Sequence, residues 1–163
     1  MRRAGSRNRT LAPAILLLLL AGCGAGPDSA DRQPAVTAAG LGEQTVLSAA
    51  EYLAQPAYAG ADLERGRSLY LQCRACHTIE EGGSNLAGPN LHGIFGSRTA
   101  AVEDFPYSEA LSEADFVWTP RAMDAWITNP WQFLPGNRMS YGGMRRPEDR
   151  RDLIAWMLQA SDE

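Results

Sequence analysis

The chain has 163 residues, 45% of them apolar, and sets 19 acidic side chains against 15 basic ones for a formal net charge of −4. That length holds one modest domain with extensions, and the acidic balance argues against a polyanion such as nucleic acid as a partner. Every basic residue is Arg; there is no lysine.

At the N-terminus, Arg2, Arg3, Arg7 and Arg9 precede an apolar run from Leu11 to Ala21. This is the pattern of a secretion signal, and the run falls short of the roughly 20 residues that span a bilayer. It ends in Leu20-Ala21-Gly22-Cys23, which resembles the lipobox of bacterial lipoproteins. The resemblance implies removal of residues 1–22 and a diacylglyceryl group on Cys23; the plainer alternative is an ordinary signal peptide cut near the same place. Two or three acyl chains exceed the reversible hold of one, so the mature chain is expected on the periplasmic side of a bacterial membrane, anchored through Cys23. Gly24, by resemblance to enterobacterial lipoproteins, favours the outer membrane, but the leaflet stays open.

Residues 23–60 read as the lipidated terminus and a flexible linker rich in Ala, Gly, Pro, Ser and Asp, with Pro27, Pro34 and Pro56. Such a linker spans on the order of 30 Å, and little packed structure is expected in it. Thr45 to Gln55 is the exception: Val46, Leu47, Ala50, Leu53 and Ala54 share one side of a short helix that docks on the domain or on a partner complex.

The domain, residues 61–163, is expected to be all-α. Asp62 caps a helix reaching Ala75, with Leu63, Tyr70 and Cys73 along one stripe and Gly66 in its middle, tolerable only where another helix passes close to the backbone. The stretch from Thr78 to Phe105 carries no period and reads as loop. Thr119-Pro120 opens a helix that should stop before Asn129-Pro130. Pro147 opens the last one, whose apolar face is Leu153, Ile154, Trp156, Met157 and Leu158.

At the end of the first helix stands Cys73-Arg74-Ala75-Cys76-His77. C-x-x-C-H in an exported chain is the attachment site of a c-type haem. The three side chains fall at i, i+3 and i+4 on one face, where the thiols can add to the porphyrin vinyl groups while the imidazole binds iron. A thioredoxin-like dithiol gains nothing from the histidine and expects a preceding strand; zinc would crowd on adjacent Cys76 and His77. With Cys23 acylated and the other two cysteines on haem, no pair remains for a disulfide. For the sixth iron ligand, Met123 and Met157 read as core. Met139, in the turn-rich Leu134-Pro135-Gly136-Asn137-Arg138-Met139, is the best candidate, ahead of Met144 and then His92.

Further motifs follow in order: Gly88-Pro89-Asn90-Leu91-His92-Gly93-Ile94-Phe95-Gly96, Phe105-Pro106-Tyr107-Ser108, Trp118, Asn129-Pro130 and Pro135-Gly136-Asn137-Arg138-Met139. From about Gly66 to Met157 the chain resembles a class I cytochrome c of the mitochondrial type and its soluble bacterial relatives. The resemblance implies a single small domain of about four to five helices and long loops wrapped round one covalently bound haem c. It also implies that Pro89 offers its carbonyl to the ring N–H of His77, that His77 and Met139 ligate iron, and that Tyr107 and Trp118 reach the haem propionates. Asn129 belongs to the same binding set, Gly66 and Tyr70 meet Trp156 where the first and last helices cross, and His92 is a loop residue.

Departures from that pattern are Trp126 in place of a tyrosine near the distal methionine, Asn137 in place of a threonine, and Ser97-Arg98, where the usual arginine is shifted by one. Trp131 and Gln132 stand where the family carries docking lysines, with Arg74 and Arg138 left to ring the haem edge. Removing the leader leaves 11 Arg against 19 acidic residues, so long-range steering is weak and tethering substitutes for it. The implied role is that of a monomeric carrier, not an enzyme. It would take single electrons from a quinol:cytochrome c oxidoreductase to a terminal oxidase or photosynthetic reaction centre. A fixed electron-transfer subunit of a dehydrogenase or oxidase is the alternative, and a peroxidase-like enzyme the third.

Overall fold

The computed structural model describes Met1 and residues 36–162; the expected leader and the lipobox-like Cys23 lie outside the described residues. Among these, six α-helices occur: α1 Ala49–Leu53, α2 Leu63–Tyr70, α3 Glu109–Glu113, α4 Pro120–Thr128, α5 Pro130–Phe133 and α6 Pro147–Ala160. No strand accompanies them there, only an isolated bridge between Arg98 and Val117. The fold is all-α, as expected.

Local chemistry explains where the helices start and stop. The Asp62 side chain accepts from Arg65 N–H at 2.9 Å to open α2, and Thr119 does the same for Ala122 at 3.2 Å with Pro120 in the first turn of α4. Pro130 excludes helical backbone at the residue before it, so α4 ends at Asn129, whose extended backbone (φ −163°, ψ 95°) leads directly into α5. Pro147 begins α6, with Glu148 and Asp149 in its first turn, where they complement the helix dipole.

The last helix is the axis of the core. Leu153, Ile154, Ala155 and Leu158 are each no more than 1% exposed, and α2, α4 and α1 all pack on it. The α2 crossing is the closest: Gly66 is buried and the Tyr70 and Trp156 rings lie 4.8 Å apart. Arg150, also buried, ties α6 to α4 through Asp124 at 2.7 Å and to the carbonyls of Met144 and Arg145 at 3.0 Å each. Met123, Met144 and Met157 are all core residues. Met144 is thereby committed to packing, with its N–H donating to Ile127 O at 2.7 Å.

The linker reading needs correction over its described part. Residues 36–58 form a strap on the domain: Leu41 (3% exposed) and Tyr52 (6%) enter the core, Arg121 donates to the Leu41 carbonyl, and α1 packs on α6. Averaged composition hid this because a few well-placed apolar groups suffice when the backbone is satisfied locally. Ser48 and Glu51 form a capping box at α1, with the Ser48 N–H 2.9 Å from the Glu51 carboxylate. Ser48→Ala is expected to lower stability by about 1 kcal/mol, read as a shift in the denaturant midpoint.

Candidate haem site

Helix α2 gives way after Tyr70 to tight turns that present the cysteine motif. Cys73 N–H bonds to Tyr70 O at 2.8 Å and His77 N–H to Cys73 O at 3.0 Å, so the motif is wound as one helical turn. Cys73 is half-buried against the core and Cys76 exposed, neither in a disulfide. Burial, with Cys76 beside it, pushes the Cys73 thiol up to about 11, holding it neutral.

The His77 ring is held by backbone. Pro89 O lies 2.7 Å from Nδ1; a carbonyl only accepts, so Nδ1 carries the proton and Nε2 keeps its lone pair for a metal. Burial lowers the imidazole pKa, which favours this neutral form. Gly88 is a second constraint: a Cβ there would lie 2.6 Å from both ring nitrogens. The Gly88-Pro89 backbone therefore fills the space beside the ring, and Tyr70 Oη donates to the His77 carbonyl at 3.3 Å.

Met139 comes from the opposite part of the chain. Asn137, 1% exposed, shapes its loop: Nδ2 donates to Pro130 O and Leu134 O, and Oδ1 accepts from Met139 N–H, each at 2.9 Å. Gly136 supplies the left-handed turn (φ 88°) that this loop needs. The Trp126 indole N–H donates to the Met139 sulfur at 3.1 Å. A thioether has lone pairs to spare, so one can serve the indole and another a metal.

Trp126 itself is locked by a closed ring of edge-on aromatic contacts. Phe116–Trp118 centroids are 4.8 Å apart, Trp118–Trp126 5.4 Å, Trp126–Phe133 5.9 Å and Phe133–Phe116 5.3 Å, with interplanar angles from 78° to 90°. Each such pair adds about 0.5–1.5 kcal/mol beyond burial, so the indole is held by two rings, Trp118 and Phe133, that Phe116 in turn ties together.

The other expected site residues fall as follows. Trp118 is buried in this ring of aromatics, and half-buried Tyr107 accepts through its hydroxyl from Val102 N–H at 3.4 Å while packing on Phe105. Asn129 caps α5 through Gln132 N–H at 3.2 Å. His92 sits in a loop with its Nδ1 buried and unpartnered. Arg98 pairs with exposed Asp115, and Arg138 bonds to the Pro106 carbonyl. The local reading overlooked the organising role of Asn137, although the resemblance marks the position.

These donors suit a covalently held haem: two thiols on one turn, an imidazole with its metal-binding nitrogen free, and a thioether oriented by an indole. Comparison with known proteins agrees. The cytochrome c family model matches residues 63–161, and the chain belongs to that family: it is an electron carrier with covalent haem c, not an enzyme. The cytochrome c of Gibberella zeae is 37% identical over 104 residues, covering 63% of this chain and 98% of the relative. That of Chlamydomonas reinhardtii is 40% identical over 101 residues, 61% of this chain and 90% of the relative. That of Trypanosoma brucei brucei is 44% identical over 82 residues, 50% and 88%.

Proposed function

We propose that this protein is a membrane-tethered mono-haem cytochrome that shuttles single electrons between periplasmic partners, with Cys73 and Cys76 as thioether links and His77 and Met139 as axial ligands. The haem supplies one-electron Fe(III)/Fe(II) chemistry. The observation that carries the reading is the pair of pre-set donors, His77 oriented by Pro89 and Met139 oriented by Trp126. Around them the aromatic ring shields the Met139 side from water, and Tyr107 and Trp118 would hydrogen-bond the propionates, as the family resemblance implies. The lipobox at Leu20 to Cys23 supports anchoring through Cys23 to a bacterial membrane, facing the periplasm. A quinol:cytochrome c oxidoreductase as donor, a terminal oxidase or reaction centre as acceptor, and a monomeric state complete the proposal. Docking of α1 on its own domain favours a mobile carrier over a fixed subunit, since that helix is already engaged.

Intact-mass analysis of the protein from the membrane fraction tests this together with a redox titration. One haem, loss of residues 1–22 and acylation of Cys23 are expected, with a single positive wave. A haem-free mature chain, or iron that stays high-spin and binds carbon monoxide rapidly, overturns the carrier role; an unacylated terminus overturns the tether alone.

Trp126→Phe removes the N–H while retaining most of the ring. A donor on the sulfur draws electron density from it and disfavours ferric iron, so its loss should lower the reduction potential. One hydrogen bond of about 1 kcal/mol corresponds to about 40 mV in a one-electron couple, readable by potentiometric titration.

A further inference from the structure

The segment 116–119 is an extended piece with two edges, and only one of them is paired by the loop beside it. Trp118 N–H bonds to Ser97 O at 2.9 Å, Gly96 N–H to Trp118 O at 2.9 Å, and Thr99 N–H to Phe116 O at 3.1 Å. Along extended backbone, successive residues point their polar groups to opposite sides. Val117, between these residues, faces the other way: its carbonyl accepts from Thr119 N–H at 2.9 Å, and its N–H has no backbone partner, a costly group to leave unpaired in a folded core.

The strap provides the missing partner with one side chain. Gln44 Oε1 accepts from Val117 N–H at 2.9 Å, and its Nε2 donates to Val117 O at 2.6 Å and to Thr119 Oγ1 at 3.2 Å. The carboxamide, with one acceptor and two donors, pairs with Val117 as an adjoining strand would. Thr119 is also the residue whose hydroxyl caps α4, the helix that carries Trp126. One side chain thus grips the backbone between Phe116 and Trp118 and the cap of α4, and these are the supports of the aromatic ring that aims the Trp126 N–H at the Met139 sulfur.

We propose that Gln44, which lies in the strap outside the family-matched residues 63–161, is a positioning residue for the Met139 thioether. It acts by pinning the Phe116-Val117-Trp118 backbone and hence the direction of the Trp126 indole. The inference rests on Met139 being the distal ligand. The pieces between Gln44 and the sulfur are contiguous packed and hydrogen-bonded groups.

The test uses the full-length, matured holoprotein. Gln44→Ala and Gln44→Met both remove the three hydrogen bonds, the second while keeping side-chain length and packing. Ser48→Ala loosens the same strap without touching Val117. Three quantities are read: the sulfur-to-iron band, the reduction potential, and the affinity for added imidazole, which competes with the thioether. Both Gln44 variants should bind imidazole about tenfold more tightly, on the scale of one lost hydrogen bond, and show a lower potential. Ser48→Ala should leave both at wild-type values. Gln44 variants indistinguishable from wild type overturn the proposal, as does an equal response in Ser48→Ala, which would reduce Gln44 to general strap stability. A wild-type protein without the sulfur band, or one whose band survives Met139→Ala, overturns the ligand assignment and this proposal with it. A band that Met139→Ala abolishes while the Gln44 variants leave all three quantities unchanged overturns this proposal alone.

Discussion

Met139→Ala is expected to abolish the sulfur-to-iron band of the oxidised protein and to lower its reduction potential by on the order of 0.1–0.3 V, part of the roughly 0.8 V that axial ligation commands. The reason is the donor's character. A neutral thioether stabilises ferrous iron relative to ferric, and neither water nor an incoming base in its place does so as well. The loop should survive the change, because Asn137 holds it through Pro130 and Leu134 independently of the Met139 side chain. Met144→Ala gives the opposite pattern. Met144 is 6% exposed and its carbonyl receives Arg150, so truncation should cost about 2–5 kcal/mol of stability and leave the band in place. Absorption spectra of the two variants, with denaturant titrations beside them, distinguish the roles; a band lost in Met144→Ala and kept in Met139→Ala would reverse the assignment.

Gly66→Ala is expected to destabilise the holoprotein by about 3 kcal/mol, although alanine is the better helix former by about 1 kcal/mol. Packing decides the sign. A Cβ on Gly66 would lie 2.7 Å from Trp156 Cβ and 2.8 Å from the Asp152 carbonyl carbon, closer still to its oxygen. These are backbone and Cβ atoms, which no rotamer change can move. To relieve the clash α6 must withdraw from α2, which opens the Tyr70–Trp156 contact at 4.8 Å and the bond from Asp62 N–H to Asp152 at 3.2 Å. Overpacking of this kind costs about 1–3 kcal/mol and sometimes more, against a total stability on the order of 5–15 kcal/mol. Gly142→Ala is the contrast: nothing lies within 4 Å of a Cβ there, and its effect should stay within about 1 kcal/mol of zero. Guanidinium midpoints for the two variants check both statements.

Legibility in the sequence followed the range of the interactions. Caps and prolines act within four residues, so the starts of α2, α4 and α6 and the stop at Asn129 could be read directly. The short helices α3 and α5 were missed because five and four residues carry too little period to register. Met139 could be singled out because it lacks a regular element to commit it. Met144 stayed open until its burial was known, since Gly142 and Gly143 beside it resemble a loop as much as Gly136 does. The strap was misread for a different reason: Leu41 and Tyr52 are two residues in a polar stretch, and their partners lie far along the chain.

By itself the sequence determined the covalent chemistry, because Cys73, Cys76 and His77 sit on one turn wherever that turn is placed, and it determined the starts of α2, α4 and α6 through caps and prolines, but not the end of α2, which stops at Tyr70 rather than Ala75. Only the tertiary structure decided that the Trp126 N–H meets the Met139 sulfur, that α1 rests on α6, and that Gln44 reaches Val117 across 73 residues. Such pairs form when distant segments share one core, and their distances and directions come from packing that no local pattern encodes.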